Sequence, residues 1–416
     1  MSQRSGNQVD RRAFLKHAAA GAALGGVYLA FGDVAQALAW PRRLHWVEPT
    51  IAGGQFTMVV LGDSIMWGQG LKEEYKFSTL VANWIESQLP GWRVSTHRYA
   101  HSGAVIKANE SEDAKPATPG EVPNSYPSIT HLFWKAASEL TPETPNRTVD
   151  LVLMDGGIND VKVNSIITTD PTIHDKVEWV RKLTRERCGP RMKQLLPYVL
   201  QKFPTAKVVT TSYYPIVSEK SDLTGLANIV SLYNPTRPIV KATEGLRDSL
   251  ARQSRAFHDE YVAGVRPVVR QARALEMIAS SASTDKGTRA GTELSTSISL
   301  PERRTAFALI PFTPENAYGA PKSWLWKLGQ EDQVATTRRQ QCTASGLSSS
   351  VNPKCYLAAM GHPNVQGARA YATAIIGELQ AFLPDWKAAQ LSQPNQGGLV
   401  QPRNNLPGRI APPVRR

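Results

Sequence analysis

The chain has 416 residues, of which 41% are hydrophobic, with 48 Lys and Arg against 35 Asp and Glu and three cysteines. That apolar fraction can close a sizeable core and excludes a wholly disordered chain, while so few cysteines exclude a disulfide-dense scaffold. The net charge of +13 would suit a nucleic-acid partner or an anionic surface, so its location along the chain matters first.

The N-terminus reads as an address rather than as fold. Asp10-Arg11-Arg12-Ala13-Phe14-Leu15-Lys16 precedes a small-residue apolar stretch at 18–31 (AAAGAALGGVYLAF), and Ala37-Leu38-Ala39 offers a peptidase site. The stretch is too short to span a bilayer, which takes roughly 20 residues. Residues 1–39 resemble a twin-arginine export signal, which implies a mature chain outside the cytoplasm beginning near Trp40.

Residues 56–61 (FTMVVL) form an apolar run of the kind found in a buried parallel strand, ending in Gly62-Asp63-Ser64. Phe77, Leu80, Val81, Trp84, Ile85 and Leu89 recur at helical spacing over 75–89, up to the break at Pro90-Gly91. Further strands are expected at 93–100, 149–154, 207–214 and 307–312, with helices at 188–203 and 365–382. Alternation of this kind predicts an α/β fold: a flavodoxin-like three-layer α/β/α sandwich around a five-stranded, mostly parallel sheet.

Between the fourth and fifth strands, residues 215–305 exceed what a sheet needs. Within them 243–278 is amphipathic, with Phe257, Tyr261, Val265, Val268 and Val269 on one side, and 280–304 reads as a Ser/Thr/Gly-rich loop. The whole is expected as a helical insertion, a subdomain or lid, within a domain spanning 40–386. Residues 387–416 hold five prolines and no acid, and read as a disordered basic tail.

The charge can now be apportioned. The first 39 residues carry +2 and the last 30 carry +5, which leaves +6 on the middle of the chain. No nucleic-acid motif accompanies that remainder, so no nucleic-acid partner is expected. Loose adhesion of the tail to an anionic surface is the partner reading that the charge leaves.

Ligands of open α/β sheets bind at the carboxyl ends of the strands. Ser64 follows the first strand, where a tight turn can hold a serine for attack on a carbonyl, or where it can simply cap a helix. Gly103, in Ser102-Gly103-Ala104, follows the second strand and lets backbone N–H groups approach a ligand, or makes a plain turn. Asn159, in Gly157-Ile158-Asn159-Asp160, follows the third and can donate to an oxyanion, or make an Asx-turn. His362, in Gly361-His362-Pro363-Asn364, sits on a loop that Pro363 keeps out of helix, where a neutral imidazole can take a proton.

Those four positions, in that order, resemble the SGNH hydrolases, the GDSL esterase/lipase family; Gly62-Asp63-Ser64-Ile65 differs from the name motif only by Ile for Leu. The resemblance covers about residues 55–214 and 307–382. It implies Ser64 as nucleophile, His362 as base, and the Ser64 N–H, Gly103 and Asn159 as oxyanion donors. The family places an aspartate three residues before its histidine; here that residue is Ala359. Either a backbone carbonyl orients the ring, or an acid arrives from elsewhere (Asp155 first, Asp332 or Glu331 behind it), or the site is weakened.

Cys342 and Cys355 flank the loop leading to His362, and a bridge there suits an exported protein; two unpaired thiols are the alternative. Cys188 is left free or buried. Metal-ligand spacing is missing, so neither metal nor cofactor is expected. Tyr318, Trp324 and Trp326 either line the substrate or pack beneath the insertion. The reading is an exported serine esterase or lipase acting on a small-molecule, lipid or glycan ester. A carbohydrate O-acetylesterase or acyltransferase, and a non-catalytic surface-binding protein on the same scaffold, are its rivals.

Overall fold

An apolar first strand needs cover on both faces. The computed structural model describes residues 54–140, 148–234, 239, 241–284, 303–328, 330, 332–347, 355 and 357–392. The segment 1–39 expected as an export signal, residues 285–302 expected as a loop, Glu331 and the expected tail beyond 392 lie outside them. In the sheet, β1 (Gln55–Gly62), β2 (Arg93–Ala100), β3 (Leu151–Met154), β4 (Lys207–Thr211) and β5 (Thr305–Ala308) take the order β2-β1-β3-β4-β5. Every pairing is parallel, where the sequence supported only a mostly parallel sheet. All but the first residue of β1 are buried.

The longer helices are α1 (Phe77–Gln88), α2 (Ile129–Leu140), α3 (Lys176–Lys202), α4 (Leu223–Tyr233), α5 (Glu244–Thr284), α6 (Ala335–Ala344), α7 (Val365–Leu379) and α8 (Leu383–Ser392). The chain leaves β1 for β2, then crosses back over β1 to β3. Right-handed crossovers in opposite directions place helices on opposite faces. Accordingly α1 and α7 pack together, with Phe77 stacked on Tyr371 at 5.1 Å between centroids. On the other side α3 packs against α2 and α5. The strand order reverses between β1 and β3, which is where ligands of such sheets bind.

Within the segment between β4 and β5, helix α5 packs against α3 and β5. Helix α5 runs beyond the expected end at 278, to Thr284, and fully buries Phe257, Tyr261 and Val265. Gly189 of α3 lies so close to it that a Cβ there would meet the Gly264 carbonyl oxygen at 3.0 Å. A helix packed in this way is a wall of the core.

Other boundaries moved for local reasons. Helix α3 starts well before residue 188, because Asp175 caps it by accepting the Glu178 N–H at 2.9 Å. Its first turns are charged and its body contains Pro190 and Pro197, which obscured the periodicity. Strand β4 stops at Thr211, short of 214, and β5 starts two residues earlier than expected and ends at Ala308, short of 312. Helix α8 reaches Ser392, so residues 387–392 are helical rather than tail. No helix among the described residues is long and apolar enough to cross a membrane.

Cys342, in α6, and Cys355 form a disulfide, and Cys188 is free and buried. Both half-cystines are fully buried. Replacing both by serine is expected to lower stability by about 3 kcal/mol, as closing a loop of this length does on the chain-entropy model. Urea unfolding of the two proteins checks this; equal midpoints would show that the loop is held without the bond.

Candidate active site

The sheet register lines up the three strand ends. Gly62 pairs with Ala100 and Leu61 with Met154, so the residues after β1, β2 and β3 emerge side by side. Ser64 opens a single helical turn, Ser64–Trp67, but does not cap it. Asp63 is the cap, its carboxylate accepting the Ile65 N–H at 2.9 Å. The serine hydroxyl is thereby left for another partner, and it lies 2.8 Å from His362 Nε2. These two residues, 298 apart in sequence, meet at the switch point.

The turn at Gly103 is pinned by the segment facing it. Ser102 N–H donates to Gly120 O at 2.8 Å, Asn124 N–H to Ser102 O at 2.9 Å, and Ala104 N–H to His101 O at 3.1 Å. Gly103 has φ +85°, and a Cβ on it would meet the Asn124 carbonyl oxygen at 2.4 Å. Buried His101 braces the same turn through Ser102 O and Thr118 Oγ1.

Asn159 is tied to that turn as well. Its amide donates to Ala104 O at 3.0 Å; an NH2 has two hydrogens, so one remains to point elsewhere. Next to it, Asp160 accepts the Ile106 N–H at 3.0 Å and pairs with Arg191 of α3. Gly103, Asn159 and His362 are each half-buried around the buried Ser64. The four residues are thus brought to one end of the sheet.

The orienting acid is where sequence and structure part. Asp155 does not bond the imidazole: its Oδ1 accepts the Asp63 N–H at 3.0 Å, and its Oδ2 has no partner. His362 Nδ1 makes no hydrogen bond either. The carbonyls of Ala359, Met360 and Ala358 face the ring and favour its charged form, though outside hydrogen-bond geometry. Burial outweighs them, and with Arg338 nearby it lowers the imidazole to about 4.

Asp332 is committed to other work. It pairs with fully buried Arg338, whose guanidinium also holds Glu121 at 2.9 Å and donates to Cys355 O at 2.9 Å. Glu121 in turn accepts from Trp67 Nε1, Gln69 Nε2 and the Gly70 N–H. One buried ionic cluster therefore joins the Ser64 turn, the segment facing Gly103 and the loop before His362. Sequence reading missed it, since single charges scattered over separate loops and one helix carry no periodic signature.

The aromatic run plays a supporting part. Tyr318 is in the core. The Trp326 N–H donates to His362 O at 2.9 Å and Trp326 O accepts from Gly361 N–H at 3.0 Å, bracing the histidine loop. Tyr214, just past β4, donates to Gly361 O at 2.8 Å and stacks on Phe312, whose ring meets Trp324 edge-on. Among the described residues no group of His, Cys, Asp and Glu could hold a metal ion.

No protein-family model and no curated protein matches the chain. Solved structures resemble it at low identity. The extracellular lipase of Streptomyces rimosus is 16% identical, with a TM-score of 0.38, over 77% of this chain and 99% of its own. Phospholipase A1 of Streptomyces albidoflavus is 14% identical, with a TM-score of 0.36, over 78% and 99%. A family two carbohydrate esterase of Clostridium thermocellum is 12% identical, with a TM-score of 0.34, over 79% and 65%. Likeness at this level transfers no residue role, and the chemistry rests on the geometry of this chain.

Proposed function

We propose that the chain is a serine hydrolase of carboxylic esters of the SGNH type. The observation that carries this is the 2.8 Å contact of Ser64 Oγ with His362 Nε2, on a turn whose capping is done by Asp63. With the imidazole in its Nδ1–H tautomer, Nε2 accepts the hydroxyl proton as Ser64 attacks the ester carbonyl. The Ser64 N–H, Gly103 N–H and Asn159 amide receive the developing oxyanion. His362 then protonates the leaving alcohol, and water releases the acyl group by the reverse use of the same base. With no carboxylate on Nδ1, the pair works as a dyad, its ring held by the braced loop.

A fluorophosphonate probe tests this directly. It should label the wild type at Ser64 and leave Ser64→Ala unlabelled; an unlabelled wild type would favour a non-catalytic binding protein on this scaffold. Esters of graded acyl length and an acetylated glycan then separate lipase from O-acetylesterase. The lowered imidazole also fixes a pH dependence. A base must be unprotonated, so kcat/KM should stay high well below pH 6.5 and fall only towards about 4. An acid limb near 6.5 would mean that the ring is open to water. We place the enzyme outside the cytoplasm, a reading supported by the segment at 1–39 and by the disulfide; fractionation of tagged full-length chain checks it.

A further inference from the structure

Directly under the nucleophile turn lie two carboxyls that the acyl-transfer steps do not use. Asp63 and Asp155 are both buried, at 0% and 1% exposure, and adjacent through the Asp63 N–H bond to Asp155 Oδ1. Gly62 makes this approach possible, because a Cβ there would stand 2.1 Å from that same oxygen. Among the described residues no Lys or Arg forms an ion pair with either of them. Tyr213 and Tyr214 face them from the end of β4, Tyr261 from α5 and Tyr371 from α7, with Asp160 nearby. The Arg191 guanidinium, on α3, is engaged by Asp160.

Two adjacent buried carboxyls without a counter-charge cannot both ionise. The hydrogen bonds say which keeps the proton. Asp63 accepts from Tyr213 OH at 2.6 Å and from Ile65 N–H at 2.9 Å, which suits a carboxylate. Asp155 accepts one bond on Oδ1 and leaves Oδ2 without a partner, which suits a protonated acid. We propose that Asp155 is a positioning residue that holds a proton at neutral pH, and that this neutral acid keeps Asp63 and the Ser64 turn in place for attack. Burial and the neighbouring Asp63 raise Asp155 well above the ordinary range, while Asp63 is raised less, to about 6. At alkaline pH Asp155 gives its proton to hydroxide, the two carboxylates repel, and the cap under Ser64 loosens.

The proposal rests on Ser64 as nucleophile, and its test separates the two. Infrared spectroscopy at pH 7 should show a protonated-carboxyl carbonyl band in the wild type that is lost in Asp155→Asn, whose amide mimics a neutral acid. Hydrolysis of a p-nitrophenyl ester by that variant should fall by only about threefold at pH 7, and its alkaline limb should move up by at least about one unit. An orienting acid would instead show a loss well above tenfold, on the order of 10⁴-fold for an Asp-to-Asn change. A wild type without the lost band overturns the proton assignment even if Asp155→Asn fails to fold, and an unmoved alkaline limb overturns the positioning role. Turnover that survives in Ser64→Ala overturns the nucleophile and the positioning role together, whatever the band shows.

Discussion

Ser64→Ala is expected to abolish ester hydrolysis, with kcat down by at least about 10⁴-fold, while the fold persists. The reason for so large an effect is chemical: without an oxygen nucleophile no acyl-enzyme forms, and only background attack by water remains. The reason that the fold should survive is structural. The turn is capped by Asp63 and supported by Asp155, Tyr213 and the Glu121 cluster, and the Ser64 hydroxyl bonds His362 rather than the backbone. Thermal unfolding should therefore shift by only a few degrees, as expected for a loss near 1 kcal/mol. Residual turnover within tenfold of wild type would sink the mechanism, whereas a collapsed melting curve would mean that Ser64 is structural.

How far the sequence could lead depended on whether a feature was local. The strands were legible because buried parallel strands are continuous apolar runs, as in residues 56–61. The turns carrying Ser64 and Asn159 were legible because each follows such a run, and the His362 loop because Pro363 marks it, whereas the turn at Gly103 follows the more polar β2. The acid was not. Asp155 stands at a strand end, where topology made it the first candidate, yet the register aims it at the Asp63 N–H, one strand over. No one-dimensional pattern tells which neighbour a buried carboxyl meets. The same limit hid Arg338, whose partners lie at positions 121, 332 and 355. The extent of α3 was hidden for a different reason: charge and internal prolines mask a helix whose burial is decided by α5.

Gly103→Ala is the second change with a large expected effect, about 10²-fold or more in kcat with a smaller effect on KM. Two independent causes act at one atom. At φ +85° an L side chain is disfavoured, and the new Cβ would sit 2.4 Å from the Asn124 carbonyl oxygen, a backbone atom that cannot swing away. Asn124 is itself bonded to Ser102 O, so relief must come from the 102–104 turn. Movement there would shift the Gly103 N–H away from the proposed oxyanion position, and through Ala104 O it would drag the Asn159 amide as well. One methyl group should thus disable two donors. Because donors of this kind act on the transition state more than on bound ester, the loss belongs in kcat. A plain turn with no part in the chemistry would give the opposite pattern: lower stability in urea, with kcat per folded molecule unchanged. Measuring kcat against active sites titrated with the fluorophosphonate probe distinguishes the two, since unfolded protein is then not counted.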